Sequence, residues 1–342
     1  MNCVVIPTYR AATTISDVVE RVGSEITLIV VVDDCCPENS GEILRRQCRD
    51  PRVLILKHDT NQGVGGAFLT GMAAAIDRGA SIIVKIDADG QIDPALIPGL
   101  IRPILNGQAD FAKGNRFFFL SNSASMPWVR LFGNLCLSFM TKISSGYWTI
   151  MDPTNGFIAI HAKVALLLVP SRISKRFFFE TDLLFHVGLL RAKVVEFPMK
   201  ALYGGETSNL RVSRILGEFM RGHFRNTARR LLYRYFIHDF SIASIELLVG
   251  VLLFSFGLIF GTYNWIYAAS AGVFASTGTI MLAAVSLLIG FQLILAFLNY
   301  DINSVPREPL HPILRNDGEH FNKAERLEVQ GDSRHGISPG RH

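Results

Sequence analysis

Residues 84 to 94 read VKIDADGQIDP and place three carboxylates, Asp87, Asp89 and Asp93, directly after the apolar run Ser81-Ile82-Ile83-Val84. Like charges at that spacing repel unless a cation sits among them or they cap a helix in water. The alternation of an extended segment turns Asp87 and Asp89 to one side of Ala88, so both can face one ion. Asp93 precedes Pro94, the pattern of an N-cap with proline at the first helical position. A second acid pair, Asp33-Asp34, ends the apolar run ITLIVVV. NQGVGGAF puts Gly63, Gly65 and Gly66 at the opening of a helix, either as a turn or as a phosphate-favouring N-terminus. Arg116 in KGNR and Arg130 in WVRLFGN carry planar forks suited to phosphate oxygens. Asp152 in DPTNG and Glu180 with Asp182 in FFETD complete the set of acids.

These residues need elements to hold them. Short apolar runs (CVVIP, ITLIVVV, RVLILK, SIIVKI, ADFAKG) alternate with helical stretches over residues 14–22, 41–48, 65–78 and 94–104. Strands without polar alternation, separated by helices, predict a parallel sheet covered on both faces. Ligands of such sheets bind beyond the carboxyl ends of the strands. That edge collects residues 7–9, Asp33-Asp34, 58–66, 87–91 and 114–116. A second block over residues 121–205 is less regular.

The composition adds a membrane. The 342 residues are 49% hydrophobic, and no Asp, Glu, Lys, Arg or His occurs from Leu247 to Tyr300. One span needs about 20 apolar residues, so two are expected, near 242–261 and 273–298. They are joined by the uncharged turn TYNWIYAAS, whose Tyr263, Trp265 and Tyr267 suit a headgroup interface. The net charge of +5 is concentrated just before them, in Arg211, Arg214, Arg221, Arg225, Arg229, Arg230 and Arg234. This basic, helix-periodic stretch predicts a positive-inside juxtamembrane helix, with Ile215, Phe219, Leu232 and Phe236 as its apolar stripe on an anionic leaflet. Its position beside a hydrophobic hairpin argues against nucleic acid. Arg307 and Arg315 follow the second span, so both termini are expected in the cytoplasm. Met1 leads straight into a strand pattern, so no signal peptide is expected. The five cysteines have no metal-binding spacing, as expected in a reducing compartment. The expected organisation is a catalytic domain over 1–208, a basic amphipathic segment over 209–240, a membrane hairpin over 241–300 and a disordered cytoplasmic tail over 301–342.

In order, VVIPTYRAATTI, VVVDDCCPENSGEI, NQGVGGAFLTGM, VKIDADGQIDP, KGNRF, DPTNGF and FFETDLL resemble the inverting family 2 glycosyltransferases. The nearest group is the dolichol- or polyprenyl-phosphate sugar synthases with a C-terminal membrane hairpin, and the likeness covers residues 2 to 300. The resemblance implies a GT-A type α/β domain that moves one sugar, with inversion, from a nucleotide-diphosphate sugar to polyprenyl or dolichyl phosphate. Asp87 and Asp89 would hold Mg²⁺ or Mn²⁺, hard cations whose shell the donor diphosphate completes. Gln91 would neighbour the metal or donor, and Asp34 would contact base or ribose while Asp33 supports the turn. Pro7, Tyr9 and Gly63 would line the nucleotide site. Arg116 and Arg130 would approach donor or acceptor phosphates, and Arg211 and Arg214 the lipid phosphate. Asp152 would be the base-like or orienting carboxylate beside the acceptor. Glu180 would bind substrate or organise its loop. A lipid phosphate is already ionised near neutral pH, so positioning and leaving-group activation can dominate over base catalysis.

Two departures from the family pattern stand out. The Asn-Glu that commonly follows the first motif is Arg10-Ala11, and the Gly-Ser that follows the acid pair is Cys35-Cys36. The first leaves the base of the donor open, and the second implies a differently shaped loop. A processive polysaccharide synthase of the same fold would carry Gln-x-x-Arg-Trp and more spans, and this chain has no Arg-Trp pair. A non-catalytic membrane scaffold is the reading from another class, against which the intact acids argue. A homo-oligomer is a further possible partner, and two spans offer no route for carrying the product across, so a separate flippase is expected.

Overall fold

The computed structural model describes residues 1–119, 128–169, 171–200 and 212–314. Runs of β-branched residues form the first four strands: β1 (Asn2–Thr8), β2 (Leu28–Asp33), β3 (Val53–Lys57) and β4 (Ile82–Lys85). Helices α1 (Ile15–Glu20), α2 (Ser40–Gln47) and α3 (Val64–Asp77) connect them, and α4 (Ile97–Leu105) follows β4. Asp93 caps the turn Pro94–Leu96 before α4 by accepting the Ala95 amide at 3.0 Å. The second block supplies β5 (Phe111–Asn115), α5 (Trp128–Ser145), β6 (Ile158–His161), α6 (Ala162–Leu168), α7 (Phe179–Leu189) and β7 (Val194–Pro198).

The strand order is β3-β2-β1-β4-β6-β5-β7. The sheet is mainly parallel, as expected, and departs from it at one strand: β6 runs antiparallel to both β4 and β5. Its first residue, Ile158, pairs with Lys85, the last of β4, because the DPTNG loop delivers the chain to the edge where β4 ends. Strand residues alternate between two cores. Cys3 and Val5 pack on the side of α3, α6 and α7, while Val4 and Ile6 pack on the side of α1 and α4.

Beyond the sheet, α8 (Val212–Leu232) continues through a π-turn over Tyr233–His238 into α9 (Ile242–Ala271) and α10 (Thr277–Asn303). The last two are long and apolar enough to cross a membrane, and only 22% of the most apolar window of each is buried. They are longer than expected. Tyr263, Trp265 and Tyr267 lie exposed on α9 itself, and the turn is the short stretch 272–276. The two helices approach closely where Gly290 meets the Phe254 backbone.

The tail expected to be disordered from residue 301 is also corrected. Asp301 is fully buried, and residues 304–314 return to the sheet domain. Asp110 accepts the Leu310 and His311 amides at 2.7 Å each and His311 Nδ1 at 2.8 Å. Val305 and Leu314 pack on the α3 side of the core. Residues 315–342 lie outside the described set.

Candidate active site

A cavity of about 630 Å³ opens at the carboxyl ends of β1, β2 and β4 and the start of α3. Pro7, Tyr9, Asp34, Gly63, Asp87 and Asp89 all line it, so six sequence-selected residues meet in one place. Thr14 at the head of α1 donates its hydroxyl to the Ala88 carbonyl at 2.6 Å, pinning the loop between the two acids. Gln91 is exposed and contributes its backbone amide, which donates to Asp89 Oδ1 at 3.0 Å.

The acids of β2 divide by role. Asp33 accepts the amides of Cys36 and Gly41, closing the turn into α2. Asp34 accepts the amides of Gln62 at 2.8 Å and Gly63 at 2.7 Å, and His58 Nδ1 lies 2.7 Å from it. Gly63 has φ of +88°, and a Cβ there would collide with the Lys175 carbonyl. That carbonyl also accepts the amides of Gly65 and Gly66. The amides of Gly63, Gly65 and Gly66 are therefore already engaged, which favours the turn over the phosphate-binding alternative for this motif.

A buried charge cluster lies behind Asp87, and its centre escaped the sequence reading. Lys85 is fully buried; its Nζ donates to Asp87 Oδ1 at 2.6 Å and lies 3.4 Å from Glu180 Oε1. Burial works against the ammonium, and Asp87 and Glu180 outweigh it, so its pKa is raised above the ordinary lysine value. Lys113 on β5 pairs in register with Ile158, as Lys85 does from the other side. Its Nζ donates to the Asn155 carbonyl, and burial pushes its pKa down to about 8 against the pull of Glu180 and Asp152. Gly156 fits between these groups because a Cβ would strike Asp87 and Lys85. The signal for Lys85 was a lysine inside an otherwise apolar strand.

Asp152 is fully buried under Arg116. The guanidinium donates from Nε to Oδ2 and from Nη2 to Oδ1, both at 2.8 Å, and the Arg116 amide adds a third bond. Glu196 on β7 accepts the amides of Met151 and Asp152 and so holds the loop. With both oxygens engaged, this carboxylate orients Arg116; the base-like role in the sequence reading does not fit the geometry. Glu180 reaches Lys85 and does not line the cavity.

Asp182, one turn along α7, accepts the Ser174 amide and Asn226 Nδ2, each at 2.7 Å, so the loop after α6 and helix α8 share one buried acid. His223 of α8 sits 2.9 Å from Ser144 Oγ of α5, among Phe178 and Phe219, and burial pushes its pKa down to about 4. The apolar stripe expected there is corrected in part: Leu232 is exposed, with Met220 and Phe224 exposed as well, but Phe219 faces the protein, Phe236 packs near Tyr235, and the side chain of Ile215 lies outside the described set. Helix α5 exposes a second stripe, Trp128, Phe132, Leu135 and Phe139, whose helical spacing was legible and unread. Arg130 and Arg214 lie on α5 and α8, with side chains outside the described set, and Arg211 lies outside it altogether. Arg230 donates from both Nη atoms to Asp301, and Arg234 donates to Ser304, so these two arginines bind the hairpin instead of facing a leaflet.

A mixed sheet with acids gathered at the carboxyl ends of its parallel strands, followed by two apolar helices, defines a GT-A-like α/β domain with a C-terminal hairpin. The chain belongs to glycosyl transferase family 2, whose model matches residues 3–166. It is 30% identical over 213 residues to the UDP-N-acetylglucosamine–dolichyl-phosphate N-acetylglucosaminyltransferase of Methanococcus voltae, covering 58% of this chain and 84% of that one. It is 28% identical over 199 residues to the undecaprenyl-phosphate mannosyltransferase of Micrococcus luteus, covering 57% and 81%. In fold it resembles glucosyl-3-phosphoglycerate synthase from Mycobacterium tuberculosis, solved with Mn²⁺ and UDP, with a TM-score of 0.50 at 16% identity over 67% of this chain and 79% of that one.

Proposed function

We propose that this protein transfers a single sugar from a nucleotide-diphosphate sugar to polyprenyl or dolichyl phosphate, with inversion, at the cytoplasmic face of a membrane. The observation that carries the reading is the convergence of Pro7, Tyr9, Asp34, Gly63, Asp87 and Asp89 on one cavity in a chain that also exposes two apolar helix faces and a hairpin. Relatives named for lipid-phosphate sugar transfer support it.

Among the described residues no three His, Cys, Asp or Glu side chains form a complete metal cage. Two aspartates supply hard oxygens suited to Mg²⁺ or Mn²⁺ and too few to hold the ion alone, which fits a cation completed by substrate phosphate. Bound there, the cation would neutralise charge on the departing nucleotide diphosphate. Lys85 holds Asp87 for that task, and Thr14 holds the loop between the acids. Asp152 orients Arg116, whose guanidinium charge is suited to a phosphate of donor or acceptor. The acceptor phosphate attacks in its ionised form, so no buried base is required. Direct attack on an α-linked donor gives a β-linked product.

The test combines purified protein, polyprenyl phosphate, Mg²⁺ and a panel of labelled nucleotide-sugars. One donor is expected to yield a monosaccharide lipid with an inverted anomeric signal by NMR. Asp89→Asn and EDTA are each expected to abolish turnover, and near-normal rates in both would refute the metal role. A polymer product would favour the processive reading, and no product with any donor the scaffold reading.

A further inference from the structure

The two departures from the family motifs touch each other. The Arg10 amide donates to Cys36 Sγ at 3.0 Å, and Cys36 Sγ lies 3.1 Å from Ser40 Oγ, which accepts the Ala11 amide at 3.2 Å. Cys36 is itself buried and fixed by its amide on Asp33. These bonds hold Arg10 at φ of +54°, a left-handed conformation that a residue with a side chain adopts rarely. The exposed Arg10 side chain lines the cavity with its guanidinium carbon 5.5 Å from the Tyr9 ring centroid, and it makes no ion pair among the described residues.

The sheet order says which part of a ligand this arginine meets. β1 lies between β2, which carries Asp34, and β4, which leads to Asp87 and Asp89. A diphosphate gathered at the β4 acids leaves the nucleoside over the ends of β1, β2 and β3, and the bond to Cys36 ties Arg10 to the β2 side. A guanidinium has donors only and needs an acceptor. At pyrimidine C4 and purine C6, uracil and guanine present a carbonyl oxygen, whereas cytosine and adenine present an amino group.

Resting on the nucleotide-sugar reading above, we propose that Arg10, presented by Cys36, is a specificity-determining residue that selects donors whose base carries a carbonyl at pyrimidine C4 or purine C6 over those carrying an amino group at that position. The probes are UDP against CDP and GDP against ADP, titrated calorimetrically into the full-length protein in detergent with Mg²⁺. In whichever pair binds tighter, the carbonyl member is expected to win by about tenfold or more, and Arg10→Ala to reduce that ratio to about twofold. Cys36→Val should follow Arg10→Ala, while Cys36→Ser, which keeps an acceptor, should keep the preference. The unfolding midpoint of Arg10→Ala without nucleotide should match the parent. A preference that survives Arg10→Ala, or an equal weakening of all four nucleotides, overturns the base-reading role alone. Failure of all four to bind the parent protein overturns the nucleotide-sugar reading as well.

Discussion

Asp87 and Asp89 were legible because an acid pair after an apolar strand is chemically conspicuous, and the cavity gathers both. Lys85 showed only as a lysine in an apolar strand, and its role did not show, since its partner Glu180 is remote in sequence and only the fold brings the two within 3.4 Å. Replacing Lys85 by Met leaves Asp87 and Glu180 without their shared counter-charge. Breaking a buried pair in this way costs about 3–5 kcal/mol, and a lowered thermal unfolding midpoint is the expected result. The engagement of Asp152 could not be read from the sequence, because the partner that occupies both oxygens stands 36 positions away. Asp152→Asn should remove half of the fork on Arg116 and cut kcat about 100-fold, as misplacement of a positioning group does, with little change in nucleotide affinity. A fall in affinity matching the fall in kcat would count against the orienting role.

Element positions in the first half followed from apolar runs and glycine breaks, and β1 to β4 lie where the sequence puts them. The direction of β6 did not follow, since a strand as short as Ile158–His161 looks the same whichever way the chain runs. The rotation of α8 was equally hidden: which stripe of an amphipathic helix meets protein depends on the helices already there, in this case α5 and α7. His223 gives that docking a pH signature. Its folded pKa of about 4 lies below the ordinary histidine value of 6.5, so between those limits the unfolded chain binds a proton that the folded chain does not. Stability contributed by this group is therefore complete above pH 6.5 and declines as pH falls towards 4. His161, pushed down to about 4 by burial and by its stacked neighbour His311, acts in the same direction. His223→Gln should flatten the acid limb of unfolding midpoint against pH, and a curve parallel to the parent's would show that α8 docking does not depend on the neutral imidazole.

At the scale of the molecule, hydropathy announced two spans and could not say how they are fixed to the catalytic domain. The attachment is a buried carboxylate at the end of α10. Asp301 accepts both Nη atoms of Arg230, the Tyr235 hydroxyl and Trp148 Nε1, joining the hairpin to α8 and to the segment after α5. Asp301→Ala strands Arg230 and should lower the unfolding midpoint by the equivalent of about 3–5 kcal/mol. Limited proteolysis should then cut near residues 233–241, which the intact protein protects. Gly290→Leu tests the hairpin separately, because any side chain there collides with the Phe254 backbone; helix pairing should fail while nucleotide binding persists. Protease protection of a C-terminal tag in sealed, right-side-out vesicles checks the proposed orientation, and cleavage from outside would reverse it.

The return of the chain to Asp110 turns the apolar hairpin into an insertion within the sheet domain. A chain trimmed after residue 240 to make it water-soluble keeps every motif of the family and still loses a piece of its own core. It would strip the cover from Asp110 and His161 and bare the apolar patch under Val305 and Leu314. Poor behaviour of such a fragment would then report a missing strap, and a synthetic peptide of residues 304–314 supplied in trans should restore part of its solubility.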